Sequence, residues 1–218
     1  MTTETTYNTD THDMVVVHRL FRRESRLVID LVAAVEPGDR ARAGVLAGHL
    51  RDYLLAVHLH HSAEDDLIWP KLLDRLDTGV ETVLRMEAVH ARLTRGIEQV
   101  VSAVDAWEVA AGAVDRDVLV ATLVDHRAVL IEHLNDEEAN LLPLAGRYLS
   151  LAEWQEQGAH MGAHTPESKA PLLLGMALED ADPDETALIL SGLPEPVRVG
   201  WETAGSEQYE SYVRMIRG

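Results

Sequence analysis

Apolar residues recur at spacings of three and four along the first two-thirds of the chain, in four long stretches parted by short breaks. The first begins at Thr11 and carries Met14, Val17, His18, Phe21, Leu27, Leu31, Val32 and Val35 as far as Pro37-Gly38-Asp39. The second runs from about Asp39 to about Asp66 through Val45, Leu46, Leu50, Tyr53, Leu54 and Val57. The third starts near Gly79, holds Val83, Met86, His90, Leu93, Ile97 and Val101, and reaches Ala110. The fourth follows Asp115, a candidate N-cap, and carries Val118, Leu119, Leu123, Leu130 and Leu141 until Pro143 interrupts or ends it. A period near 3.6 predicts amphipathic helices. Four of them, joined by short turns, predict an all-α, up-down-up-down four-helix bundle over residues 11–149.

The pattern changes after Leu149. Ser150 and Glu153 form the capping-box spacing that opens a helix, and Gly158 to Pro166 reads as a loop. Segments 167–181, 184–191, 195–203 and 206–217 predict short helices punctuated by Pro171, Pro183, Pro194 and Pro196. Residues 150–218 are therefore expected to be a small helical C-terminal extension, docked on the bundle or on another subunit. Residues 1–10 are polar and threonine-rich, and predict a flexible tail.

Composition narrows the chemistry. Ala, Val and Leu abound beside a single Phe, which favours helix-on-helix packing. The formal net charge of −18 argues against affinity for nucleic acid or an anionic membrane surface. The absence of cysteine removes disulfides, thiolate metal sites and cysteine nucleophiles together. No apolar run reaches membrane-spanning length, and the first residues lack the basic and apolar regions of a signal peptide. The expected location is the cytoplasm.

Two stretches of the sequence are versions of each other. HHSAEDDLIWP, from His60 to Pro70, and HLNDEEANLLP, from His133 to Pro143, each place a glutamate four residues after a histidine and a proline six residues later. His18 precedes His60, and His90 precedes His133, by nearly the same interval. Positions i and i+4 of a helix share a face, so His60 pairs with Glu64 and His133 with Glu137. All six residues lie on or beside faces that should point into the bundle, where imidazoles and carboxylates are costly unless paired or metal-bound. A lone histidine on such a face is ordinarily a hydrogen-bonded core residue; six in a repeated pattern point to a metal site. Four imidazoles and two carboxylates suit two first-row ions, with iron favoured by the sulfur-free donor set and manganese or zinc as alternatives. His61 is a further candidate ligand that also has Asp65 at i+4. His49 and His126 are expected in the core or supporting the ligands, and His12, His58, His160 and His164 at the periphery.

At these residues the chain resembles the hemerythrin-like, or HHE cation-binding, family, in its longer bacterial type with a C-terminal extension. The motif is carried by VVVHRLFRRE around His18, by His60 with Glu64, by MEAVHARL around His90, and by His133 with Glu137. The resemblance implies a non-haem di-iron centre with an Fe-O-Fe type bridge. Glu64 and Glu137 would span the irons, the four histidines would be terminal ligands, and an open position would take O2, peroxide or nitric oxide. Oxygen carriers of the family place two histidines on the third helix. Here Met86 and Thr94 flank His90 instead, which leaves either a more open centre or one completed by His61 or solvent.

Competing readings follow. One is a protein that binds or senses a small oxidant without turnover. A second is an enzyme in which the di-iron centre decomposes hydrogen peroxide in a catalase- or peroxidase-like reaction. A third is a ferritin-like iron oxidase or store, for which Glu87 and His90 supply one Glu-x-x-His motif but no second copy exists in register. A fourth is a partner-binding module, with the extension as its interaction surface. An oligomer or a redox partner is compatible with all four.

Overall fold

In the computed structural model, which describes residues 6–218, four long helical columns form the bundle. Helix α1 spans His12–Ala33 and α2 spans Arg40–Ala63, which leads through a widened turn at Glu64–Ile68 into α3, Trp69–Arg75. Helix α4 spans Val80–Ala110. Helix α5 spans Ala113–Asp136 and passes through a second widened turn, Glu137–Leu141, into α6, Leu142–Tyr148. Helix α1 packs on α2 and α5, and α4 packs on α2 and α5, so each column lies beside its neighbours in the chain. This is the expected all-α up-down-up-down arrangement, and no strand occurs among the described residues.

Local chemistry accounts for the boundaries. Helix α1 stops at Ala33, ahead of Pro37, and Gly38 turns the chain at a φ of 89° while its N–H donates to the Ala111 carbonyl. Asp39 caps α2 by accepting from the Arg42 N–H at 2.9 Å. The N-cap of α5 is Gly112, three residues before the expected cap Asp115. The interval Gly112 to Val114 is polar-poor but carries no φ incompatible with helix, so the helix begins as soon as Ala111 ends the preceding one.

The core divides into two layers. One contains Phe21, Val57, Leu93, Leu130 and Leu134; the other contains Met14, Ile68, Trp69, Met86 and Leu141. Between the two layers lies a band of buried polar residues, with His18, Glu64 and Glu137 at its centre.

The extension folds back on the bundle. Helix α7 spans Leu151–His164, α8 Ala170–Leu178, α9 Pro183–Ser191, α10 Glu195–Gly200 and α11 Ser206–Arg217. The Ser150–Glu153 capping box forms as expected. The loop expected at Gly158–Pro166 does not: α7 continues to His164, packed against α2 and the widened turn at Glu64–Ile68, and Thr165 satisfies the Met161 carbonyl. Helices α8 and α9 lie on α1, and α11 lies on α8 and α2. Of the expected N-terminal tail, residues 1–5 fall outside the described residues. Residues 7 and 9 are pinned, since their N–H groups donate to the Arg147 and Gly146 carbonyls at 2.7 and 2.9 Å. No helix among the described residues is long and apolar enough to cross a membrane.

A buried polar junction joins extension to bundle. Glu24, 1% exposed, receives Arg23 Nε at 2.8 Å and lies 3.1 Å from His49 Nε2. His49 Nδ1 meets the Tyr212 hydroxyl at 2.9 Å, and Arg217 reaches both Glu24 and Glu179. Burial alone pushes the Glu24 carboxyl up; His49 and Arg23 overcome that and leave it below the usual range. A depressed carboxyl contributes stability above its unfolded value, near 4.5, and loses it as pH falls through the folded one.

Two outcomes are expected here. A Glu24→Gln variant loses less stability than wild type when thermal unfolding is followed from pH 6 down to about pH 3. Gly175 carries α8 against the Tyr209 ring, where an added Cβ would lie 2.2 Å from ring carbon. Gly175→Ala is therefore expected to displace α11 and cost about 1–3 kcal/mol, read as a Tm lowered by about 2–4 °C for each kcal/mol.

Candidate metal centre

Both His-x-x-x-Glu pairs lie where a column widens. The Trp69 N–H donates to the Glu64 carbonyl and the Leu142 N–H to the Glu137 carbonyl, five residues back rather than four. Pro70 and Pro143 follow at once. Proline has no N–H to give and its ring crowds the carbonyl four residues earlier. A single wide turn absorbs that conflict without ending the column, so Pro143 interrupts the fourth helix and does not end it. Such turns are rare and concentrate at functional sites. The trailing proline of the repeat thus belongs to the turn that starts at each glutamate.

The six repeated residues converge between the two core layers. His18, Glu64, Glu137 and His133 are at most 1% exposed, and His60 and His90 are 3% exposed. His60 Nε2 lies 3.5 Å from one Glu64 oxygen, and His90 Nε2 lies 3.5 Å from the other. His18 Nε2 and His133 Nε2 each lie 3.4 Å from the same Glu137 oxygen. Two groups of four possible ligands result: His18, His60, Glu64 and Glu137, and His61, Glu64, His90 and His133. Glu64 belongs to both.

His61 is the residue whose placement the repeat left open. It is 6% exposed, and its ring lies 4.4 Å from that of His90 and 4.9 Å from that of His133, centroid to centroid. It therefore faces the site, where the third helix lacks a second histidine. Asp65, its expected i+4 partner, instead accepts from His90 Nδ1 at 2.8 Å. Glu138 does the same for His18 Nδ1 at 2.8 Å and also receives Arg22. In each repeat, then, the glutamate points inward while the acid after it holds a histidine of the neighbouring column. The signal was in the sequence as the acidic pairs Glu64-Asp65 and Glu137-Glu138. Both contacts leave the Nε2 lone pair of the held imidazole turned towards the centre.

The donor set fits a cation. Nε2 of His18, His60 and His61 and all four oxygens of Glu64 and Glu137 are buried without a hydrogen-bond partner. His90 Nε2 and His133 Nε2 face each other at 3.2 Å, close to the separation of two nitrogens on one ion with bonds of about 2.0–2.1 Å. Burial first, and the neighbouring imidazoles second, push His60 and His61 well below their ordinary value and His133 down to about 2. These rings are neutral at physiological pH, the form that ligates metal. Burial, and then the Glu137 carboxylate beside it, push Glu64 well up. Without a cation the Glu137 carboxylate opposes ionisation of Glu64.

Other candidates lie elsewhere. His49 sits at the junction with the extension, and His126 meets the Tyr53 hydroxyl at 3.4 Å in the apolar layer below the centre. His58 is exposed, and His12 pairs with Glu185. Glu87 is exposed rather than turned inward with His90, so the one ferritin-like motif is not assembled.

A family model described as the hemerythrin HHE cation binding domain matches residues 9–145. Comparison with curated proteins and with solved structures gives no match.

The raised Glu64 carboxyl generates a prediction with opposite signs in two states. A group whose folded pKa is raised favours the fold below its unfolded value, near 4.5, and weighs against it as pH rises. Glu64→Gln is expected to raise the Tm of the metal-free protein at pH 7 and to lower its bound metal. Differential scanning calorimetry of the chelated protein, with metal analysis of the untreated one, checks both.

Proposed function

Because the chain belongs to the hemerythrin HHE cation-binding family, we propose that it is a non-haem di-iron protein that binds or reacts with O2, peroxide or nitric oxide within its bundle. The observation that carries this reading is that Glu64 is common to two four-residue ligand groups. A carboxylate with one oxygen near His60 and the other near His90 is built to lie between two ions. In this reading His18 and His60 hold one ion, His61, His90 and His133 hold the other, and Glu64 and Glu137 lie between them. A pair of redox-active ions supplies the place where a small oxidant binds and exchanges electrons.

The chain's own residues do the rest. Asp65 and Glu138 orient His90 and His18 through Nδ1 and raise the basicity of the nitrogen opposite. Phe21, whose ring lies 4.9 Å from that of His60, and Trp69, 5.5 Å from that of His90, keep bulk water from the imidazoles. A dry, enclosed centre admits small neutral molecules in preference to large or charged ones. Iron is the metal favoured by nitrogen and oxygen donors together with redox chemistry; manganese shares that capacity and zinc does not.

The test is metal content and an optical spectrum of the purified protein, followed by mixing with peroxide. About two irons per chain are expected, with His61→Ala losing much of one ion and the exposed His58→Ala losing none. A stable adduct with peroxide, O2 or nitric oxide supports the binder. Sustained oxygen evolution from peroxide supports the enzyme. Zinc, or equal iron in wild type and His61→Ala, would sink the assignment.

A further inference from the structure

The helix that replaces the expected loop at Gly158–Pro166 brings together three residues that the sequence leaves scattered. His160 and His164 stand one turn apart on α7, with ring centroids 4.2 Å apart and planes inclined by 31°. His164 Nδ1 donates to the His160 carbonyl at 2.8 Å, which leaves Nε2 as its ligating nitrogen. Opposite them is Asp66, on the wide turn that begins at Glu64. Its carboxylate oxygen lies 3.7 Å from His160 Nε2. That separation is too long for a hydrogen bond. It is near the ~3.4 Å between two ligands of a tetrahedral ion with bonds of about 2.0–2.1 Å.

Asp66 and His164 are open to solvent and His160 is partly so. Asp66 is 64% and His160 20% exposed at the side chain, and His164 is exposed. Rotation of an exposed histidine takes picoseconds to nanoseconds, so releasing the Nδ1 bond to the His160 carbonyl would let the His164 ring turn towards the gap between His160 and Asp66. Two histidines four apart on a helix form a chelating pair. Two imidazoles and one carboxylate, with water at the remaining position, select borderline divalent ions over calcium or magnesium. A chain of net charge −18 concentrates such cations at its surface.

We infer that His160, His164 and Asp66 form a second, surface site for a divalent cation of the zinc, cobalt or nickel class, separate from the buried centre. One turn serves both sites: Glu64 is fully buried, and Asp66, two residues on, faces outward.

The experiment is calorimetric titration of the intact, metal-bearing protein with zinc chloride, repeated with cobalt chloride. Wild type is expected to take up one ion beyond its resident metal. His164→Ala and a His160→Ala/His164→Ala double variant are expected to bind it roughly tenfold more weakly or not at all, with resident metal and Tm unchanged. His164 is exposed and carries no core packing, so His164→Ala should fold as wild type does, and an unchanged Tm checks the same for the double variant, in which the partly buried His160 is also replaced. Equal zinc uptake by wild type and the double variant would overturn the inference. So would extra uptake that disappears in His61→Ala but persists in the double variant, because that ion would then reside in the buried centre.

Discussion

Two fully buried carboxylates, Glu64 and Glu137, set the terms for everything around them. Ionised carboxylates in an apolar interior are costly, and two side by side more so. Without a cation that cost pushes the Glu64 carboxyl well up; a cation between the carboxylates relieves it, and His60, His61 and His133, held neutral by burial, do not supply one. The centre is therefore suited to a cation that the chain binds, rather than to charge carried by these three imidazoles. The apolar layers on either side hold that arrangement in place: they exclude water from the carboxylates and fix the columns from which the candidate ligands project.

The internal repeat extends beyond the six candidate ligands. Each copy supplies a histidine, a glutamate one turn later, a second acid that holds a histidine of the neighbouring column, and a proline that follows the widened turn. The two copies are not equal. The first adds His61, and its turn also points Asp66 towards α7. One group of possible ligands thus has three imidazoles, His61, His90 and His133, against two, His18 and His60, in the other.

The extension is tied to the bundle by charge as well as by packing. Arg23, Glu24 and His49 come from the bundle; Glu179, Tyr212 and Arg217 come from the extension. Buried ion pairs of this kind contribute little net stability on their own but are expensive to leave half-made. They fix where α8 and α11 dock more than they add to the depth of the fold. Arg42 completes the attachment by donating to the carbonyls of Met215 and Ile216 at the end of α11.

The sequence by itself determined the four columns, because the 3.6-residue period records which side of each helix is buried. It also determined the six repeated ligand candidates, because spacing of four on a helix places side chains on one face whatever surrounds them. Tertiary structure alone decided what depends on which columns are neighbours. Asp65 turns to His90 across a helix interface rather than to His61 along its own, and His61 is directed to the centre by the place left between His90 and His133. It decided that α7 continues through Gly158 and Gly162, since a helix packed against α2 tolerates glycines that an isolated one would not. His160 and His164 looked ordinary in sequence for the same reason. Their meeting with Asp66 requires α7 to lie against the widened turn, and contact between distant segments leaves no trace in local spacing.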